Sequence, residues 1–160
     1  FYRTIMGLSK QRSGRTMTVH GFASAQEAET AFYEAFENAD LEAMMQVWSQ
    51  DDDIECIHPL GDRLVGIAAV SESWRQILSR GKRIQFQLRR SNRFQNEQLA
   101  IHSLYENISI GGKSQPPVVA VNIYRFNGSG WHMILHHASP ATSIKDESGK
   151  HAAGTDRTIH

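Results

Sequence analysis

A single cysteine, Cys56, stands in a chain of 160 residues. One thiol cannot build an intramolecular disulfide framework, and its isolation fits a reducing compartment. Neither sign of charge is in excess, with 17 Lys and Arg against 17 Asp and Glu. A surface that grips phosphate backbones needs a basic surplus, so no nucleic-acid partner is expected. No apolar run approaches the ~18 residues that span a bilayer, and no membrane partner is expected either. Residues 1–15 are basic but hold no continuous apolar stretch, which argues against a secretory leader. Together these absences read as a cytoplasmic protein. Internal repeats are lacking, and so is a His-Glu-x-x-His or comparable metal spacing. The length suits one domain with a real core.

What is present is organised. Ser24-Ala-Gln-Glu27 has the pattern of a capping box, and Ala28, Ala31, Phe32, Ala35 and Phe36 then recur at helical spacing to about Asn38. Asp40 opens a second short helix whose apolar face is Leu41, Met44, Met45 and Trp48. Asp51–Asp53 reads as a solvated acidic turn. Ile54 to His58 alternates as a strand, putting Ile54, Cys56 and His58 on one face before Pro59-Leu-Gly61 ends it. Gly66 opens a third helix with Val70, Trp74, Ile77 and Leu78 as its buried stripe, and Gly81 closes it. The remainder is β, over 84–94, 99–110, 118–126 and 131–139, with the last two strands joined around Asn127-Gly-Ser-Gly130. The domain is expected over 24–140, with a flexible arm at 1–23 and a disordered tail at 141–160.

Several residues carry candidate chemistry. His58 can abstract a proton near neutral pH. The amide of Asn122 can polarise a carbonyl or hold an oxyanion, with Tyr124 on the same strand face. Phe32, Trp48, Cys56, Trp74, Phe86, Arg90 and Tyr124 are expected to wall a ligand cavity, with Arg90 placed to hold an anionic group. His136 and His137 are adjacent, so only one can face that cavity. A metal would need His58, one of this pair and Glu55 or Glu106, and none is expected; nor is a cofactor. His102 and His132 are expected at the surface or at a contact between copies. Cys56 has no neighbouring cation in sequence and reads as packing.

Ala35-Phe-Glu-Asn-Ala-Asp-Leu41, the Trp48–Asp53 segment, His58-Pro-Leu-Gly61, Gly66 and Tyr124-Arg-Phe-Asn-Gly-Ser-Gly-Trp131 resemble the nuclear transport factor 2-like superfamily. That group includes ketosteroid isomerase, scytalone dehydratase, SnoaL-type polyketide cyclases and the association domain of calcium/calmodulin-dependent kinase II. Trp131 to Pro140 is similar to the last strand of that association domain. The resemblance implies a cone-shaped α+β fold, with three N-terminal helices packed on a curved, mostly antiparallel sheet. It also implies a homodimer, because the fold generally buries its open sheet face against a second copy. Against ketosteroid isomerase, His58 falls where that family has its base aspartate, Asn122 where it has its second acid, and Phe32 where it has a helix-one tyrosine. The tyrosine hydroxyl is therefore expected to be missing.

A SnoaL-like domain binding a small, largely apolar molecule is the reading that follows. One rival is a lyase, isomerase or hydrolase with His58 as general base. The other is a non-catalytic module for homo-oligomerisation.

Overall fold

The Ser24 hydroxyl accepts the backbone N–H of Glu27 at 3.1 Å and starts α1 (Ala25–Glu37), satisfying an amide the helix itself cannot. Asp40 does the same for Ala43 at 2.9 Å and opens α2 (Leu41–Val47). Two short strands follow, β1 (Glu55–Ile57) and β2 (Arg63–Val65), paired antiparallel. Gly66, at φ 85, precedes α3 (Ile67–Leu78); residues with a Cβ rarely adopt that backbone, and its N–H reaches Ile54 O at 2.9 Å. The chain then runs through β3 (Ile84–Gln95), β4 (Leu99–Ile110), β5 (Lys113–Ser114), β6 (Val118–Phe126) and β7 (Trp131–Pro140). This computed structural model describes residues 21–142. The arm expected over 1–23 and the tail over 141–160 lie outside the described residues, save 21–23 and 141–142.

The seven strands form one sheet in the order β2-β1-β7-β6-β4-β3, with β5 added on β4. Only β1 and β7 pair in parallel; all other neighbours are antiparallel. Three helices on a curved, unclosed, mostly antiparallel sheet make the α+β class that the sequence implied. β2 and β5 are absent from the sequence reading because strands of 3 and 2 residues carry no visible alternation.

Period two builds the inner face of the sheet: Ala100, His102, Leu104 and Glu106 of β4 lie beside Ala120, Asn122 and Tyr124 of β6, all buried. Period 3.6 builds the facing stripe of α1, where Ala25, Ala28, Glu29, Phe32 and Tyr33 are buried. Trp74 of α3 closes the layer, with its ring 5.4 Å from Phe32 and 4.9 Å from Phe36. Burying each such ring stabilises the fold by roughly 2–3 kcal/mol.

Two bulges decide which side chains enter the core. In β7, Ile123 pairs with Leu135 but Tyr124 pairs with Met133. The extra residue, Ile134, shifts the alternation so that His136 turns inward and His137 outward. In β3, Arg89 pairs with Tyr105 and Asn92 with Ser103, leaving Arg90 and Ser91 opposite Leu104 alone. Arg90 there takes φ 51 and is exposed. The expected place of Arg90 inside the cavity is thus corrected: the bulge breaks the alternation that Phe86 and Leu88 establish.

Candidate functional site

A chain of buried polar groups runs beneath α1. The Tyr33 hydroxyl donates to Glu106 Oε1 at 2.7 Å. Asn122 Nδ2 donates to the Tyr33 oxygen at 3.3 Å. At the other end of the same amide, His136 Nδ1 lies 2.7 Å from Asn122 Oδ1. An amide oxygen only accepts, so the proton of His136 sits on Nδ1 and the lone pair on Nε2. The four side chains come from α1, β4, β6 and β7, and each is at most 5 % exposed.

Burial sets the charges along this chain. It pushes the Glu106 carboxyl up to about 7, only partly offset by the Tyr33 hydrogen bond. Burial, followed by the positive charges that His58 and His137 can carry, drives His136 down to about 3, so its ring is neutral. Tyr33 is raised well above the usual phenol range, first by burial and then by the Glu106 charge. It therefore acts as a hydroxyl donor rather than as a phenolate.

His58 stands at the half-buried end of β1, followed by the fully exposed tip Leu60, 93 % accessible. Its Nε2 lies 2.7 Å from Ser73 Oγ of α3 and 3.6 Å from Cys56 Sγ. Burial lowers its pKa and keeps the imidazole neutral. The same burial raises the Cys56 thiol to about 12, which removes it as a nucleophile at physiological pH. The His58 ring packs edge-on against Trp74 at 4.9 Å and lies 6.4 Å from the His136 ring. Phe32 completes the group, 5.0 Å from His136. Two neutral imidazoles, one half-buried and one fully buried, thus share an aromatic wall.

A second buried cluster lies further along α1. Glu29 receives Arg93 Nη2 and His102 Nδ1, each at 2.8 Å. Burial alone would raise this carboxyl, but the two hydrogen bonds outweigh it and hold Glu29 below its ordinary value. Tyr124 packs beside it, with its ring 5.1 Å from His102.

The sequence-predicted residues therefore divide. His58, Cys56, Phe32 and Trp74 meet at one place, and Asn122 reaches it through His136. Phe86 backs the wall through Tyr33 and Phe36, at 5.1 and 4.8 Å. Trp48 is buried beside Met133, to which it is bridged, and Tyr124 faces the Glu29 cluster. His102 and His132 are not at the surface; they are 1 % and 4 % exposed. His102 lies on the inward face of β4, compensated by Glu29. His132 is covered by Gly21, where an added Cβ would come within 2.5 Å of the ring.

The missing tyrosine is also corrected, since Tyr33, one residue past Phe32, reaches the sheet. Glu29, Tyr33, Ser73, Glu106 and His136 complete the two clusters. Their usable signal was the even register of β4 and the i, i+4 spacing of Glu29 and Tyr33. Glu55 is held by Arg63 at 2.8 Å, and among the described residues no three His, Cys, Asp or Glu side chains converge on a metal position. No helix among them is long and apolar enough to cross a membrane. An apolar groove of about 520 Å³ lies between α2 and α3, lined by Leu41, Met45 and Ser71 among others, and does not include His58.

The model of the SnoaL-like domain family matches residues 26–143. The chain belongs to this family. A provisionally assigned calcium/calmodulin-dependent protein kinase type II association domain from Thiobacillus denitrificans is 38 % identical, with TM-score 0.72 over 76 % of this chain and 98 % of that one. A provisionally assigned dehydratase of the nuclear transport factor 2-like family from Streptomyces avermitilis is 33 % identical, with TM-score 0.68 over 74 % and 94 %. The F-box protein SKIP8 of Arabidopsis thaliana is 27 % identical over 112 residues, which are 69 % of this chain. This SnoaL-like chain spans only 46 % of that relative's length.

Proposed function

We propose that this SnoaL-like domain binds a small, largely apolar molecule against His58, His136 and Trp74 and moves a proton on it, with His58 as general base. The observation that carries the reading is the pair of neutral imidazoles 6.4 Å apart on an aromatic wall. A base must be unprotonated at working pH, and burial lowers the pKa of both rings. In this reading His58 Nε2–H donates to Ser73 Oγ, with Cys56 Sγ as a weak second acceptor, and Nδ1 keeps the lone pair. The likeness to a provisionally assigned dehydratase agrees, because elimination of water includes removal of a proton from carbon.

The test needs no knowledge of the natural substrate. In D2O, a base that removes a proton next to a carbonyl leaves an enolate, which takes a deuteron back from solvent. Wild-type protein is expected to speed deuterium incorporation into 1-indanone, read by NMR, and His58→Ala to lose the effect by about 100-fold or more. Binding without any acceleration would overturn the proton-transfer role.

The 38 % identity to an association domain supports a second reading, assembly with another copy of this chain. The open sheet face keeps Leu99 and Ile101 each 37 % exposed, in the kind of apolar surface that partners cover. Sedimentation velocity is expected to give a dimer or larger ring, and Ile101→Glu to shift it to monomer. A wild-type monomer at micromolar concentration would remove this reading.

A further inference from the structure

Three buried side-chain donors have no hydrogen-bond partner among the described residues: Trp48 Nε1, Trp74 Nε1 and the Tyr124 hydroxyl. All three can donate, so the interior is short of acceptors. A buried donor left unpaired costs about 1–3 kcal/mol, which makes each of them a place where an outside acceptor is favoured. Trp48 lies beside Met133 and Tyr124 beside His102. Trp74 differs, because its ring touches His58, 4.9 Å away, and His58 is half-exposed. Its ring centre is also 6.2 Å from His136, whose Nε2 carries a lone pair. One N–H donor and two imidazoles thus sit together against Phe32 and Phe36.

We infer that Trp74 is a specificity-determining donor: its indole N–H receives an acceptor oxygen, of the carbonyl type, on the small apolar molecule bound beside His58. This rests on the binding reading above and names the ligand's chemistry. A hydrocarbon of the same shape would fill the wall and leave the N–H unpaired. A charged carboxylate is disfavoured, because the rings against Trp74 are Phe32, Phe36 and the neutral His58 and His136, and the neighbouring Arg75 is already paired with Glu72 at the surface. A neutral carbonyl fits both the donor and the apolar wall. It also places an acidic C–H beside the carbonyl, next to the general base His58.

The test compares 1-indanone with indane, which has the same rings without the carbonyl. Three tryptophans give three indole N–H signals in a 15N-labelled sample, and Trp74→Phe identifies the one that disappears. The Trp74 signal is expected to move downfield with 1-indanone and not with indane. The ketone is expected to bind about 10-fold more tightly, as one net hydrogen bond allows. In Trp74→Phe the two should bind equally, with the Trp48 and Trp131 signals unchanged as evidence of an intact fold. Equal binding of both compounds to wild type would overturn the donor role while leaving the binding site standing. A Trp74 signal unmoved by bound ketone would overturn it too, and would assign the N–H a permanent water. If neither compound binds, both the donor role and the binding reading fall.

Discussion

Glu106→Gln is expected to change stability by an amount that grows with pH, becoming about 3 kcal/mol more favourable at pH 8 than at pH 4. Glu106 ionises near 4.5 when unfolded and at about 7 when buried. An acid whose folded pKa is raised stabilises the protonated native state at low pH. That stability is lost as pH rises from 4.5 through 7, by about 3 kcal/mol in all. Glutamine keeps an acceptor for Tyr33 but cannot ionise. Any fixed cost of its extra N–H groups shifts the whole curve, so the pH dependence of the difference is the readout.

His136 acts in the opposite sense. Its folded pKa is depressed from 6.5 to about 3, so its stability is present above 6.5 and is lost as pH falls toward 3. The two slopes oppose each other between about 4.5 and 6.5, which hides both in the wild type. Urea unfolding of wild type and Glu106→Gln across pH 4–8 separates them. A difference that does not vary with pH would mean Glu106 titrates alike in both states, and the buried chain would then not be charged as described.

Asn122→Leu is expected to cost about 2–4 kcal/mol. The amide serves both neighbours, at 3.3 Å to Tyr33 and 2.7 Å to His136. Leucine matches it in size but leaves a buried imidazole N–H unpaired and takes one donor from the Tyr33 oxygen. Tyr33 keeps its bond to Glu106, so the loss falls mainly on His136. Thermal unfolding measures the cost; a change below about 0.5 kcal/mol would show that the chain contributes little to stability.

The resemblance and the sequence pattern together implied the fold, and local chemistry explains why the elements were legible. Ser24 and Asp40 announce two helix starts, Gly66 a third, and Asn127-Gly-Ser-Gly130 the last hairpin, each by a requirement met within a few residues. His58 at the end of β1 follows from the proline beside it. What the pattern concealed depends on single-residue slips. The resemblance places Phe32 alone at the tyrosine position, yet neighbouring helix residues such as Phe32 and Tyr33 can both face a wide sheet. Strict alternation along β3 places Arg90 inward, and the bulge between Arg89 and Asn92 turns it out. His136 and His137 could not be told apart until Ile134 displaced the register of β7. Glu29, His102 and Glu106 lie on faces whose neighbours are apolar. Their burial becomes legible only when their partners, 73 residues away for His102 and Glu29, come into contact.

His136 is held neutral, with its proton on Nδ1 and its lone pair on Nε2, in the group that includes His58. Long-range 1H–15N correlation of the histidine side chains, recorded from pH 4.5 to 8 on wild type and Asn122→Leu, reads both properties directly. One wild-type histidine is expected to stay neutral as the Nδ1–H form throughout, and to lose this preference when Asn122 is leucine. A His136 that takes up a proton near 6.5, or that holds its proton on Nε2 in the wild type, would contradict it.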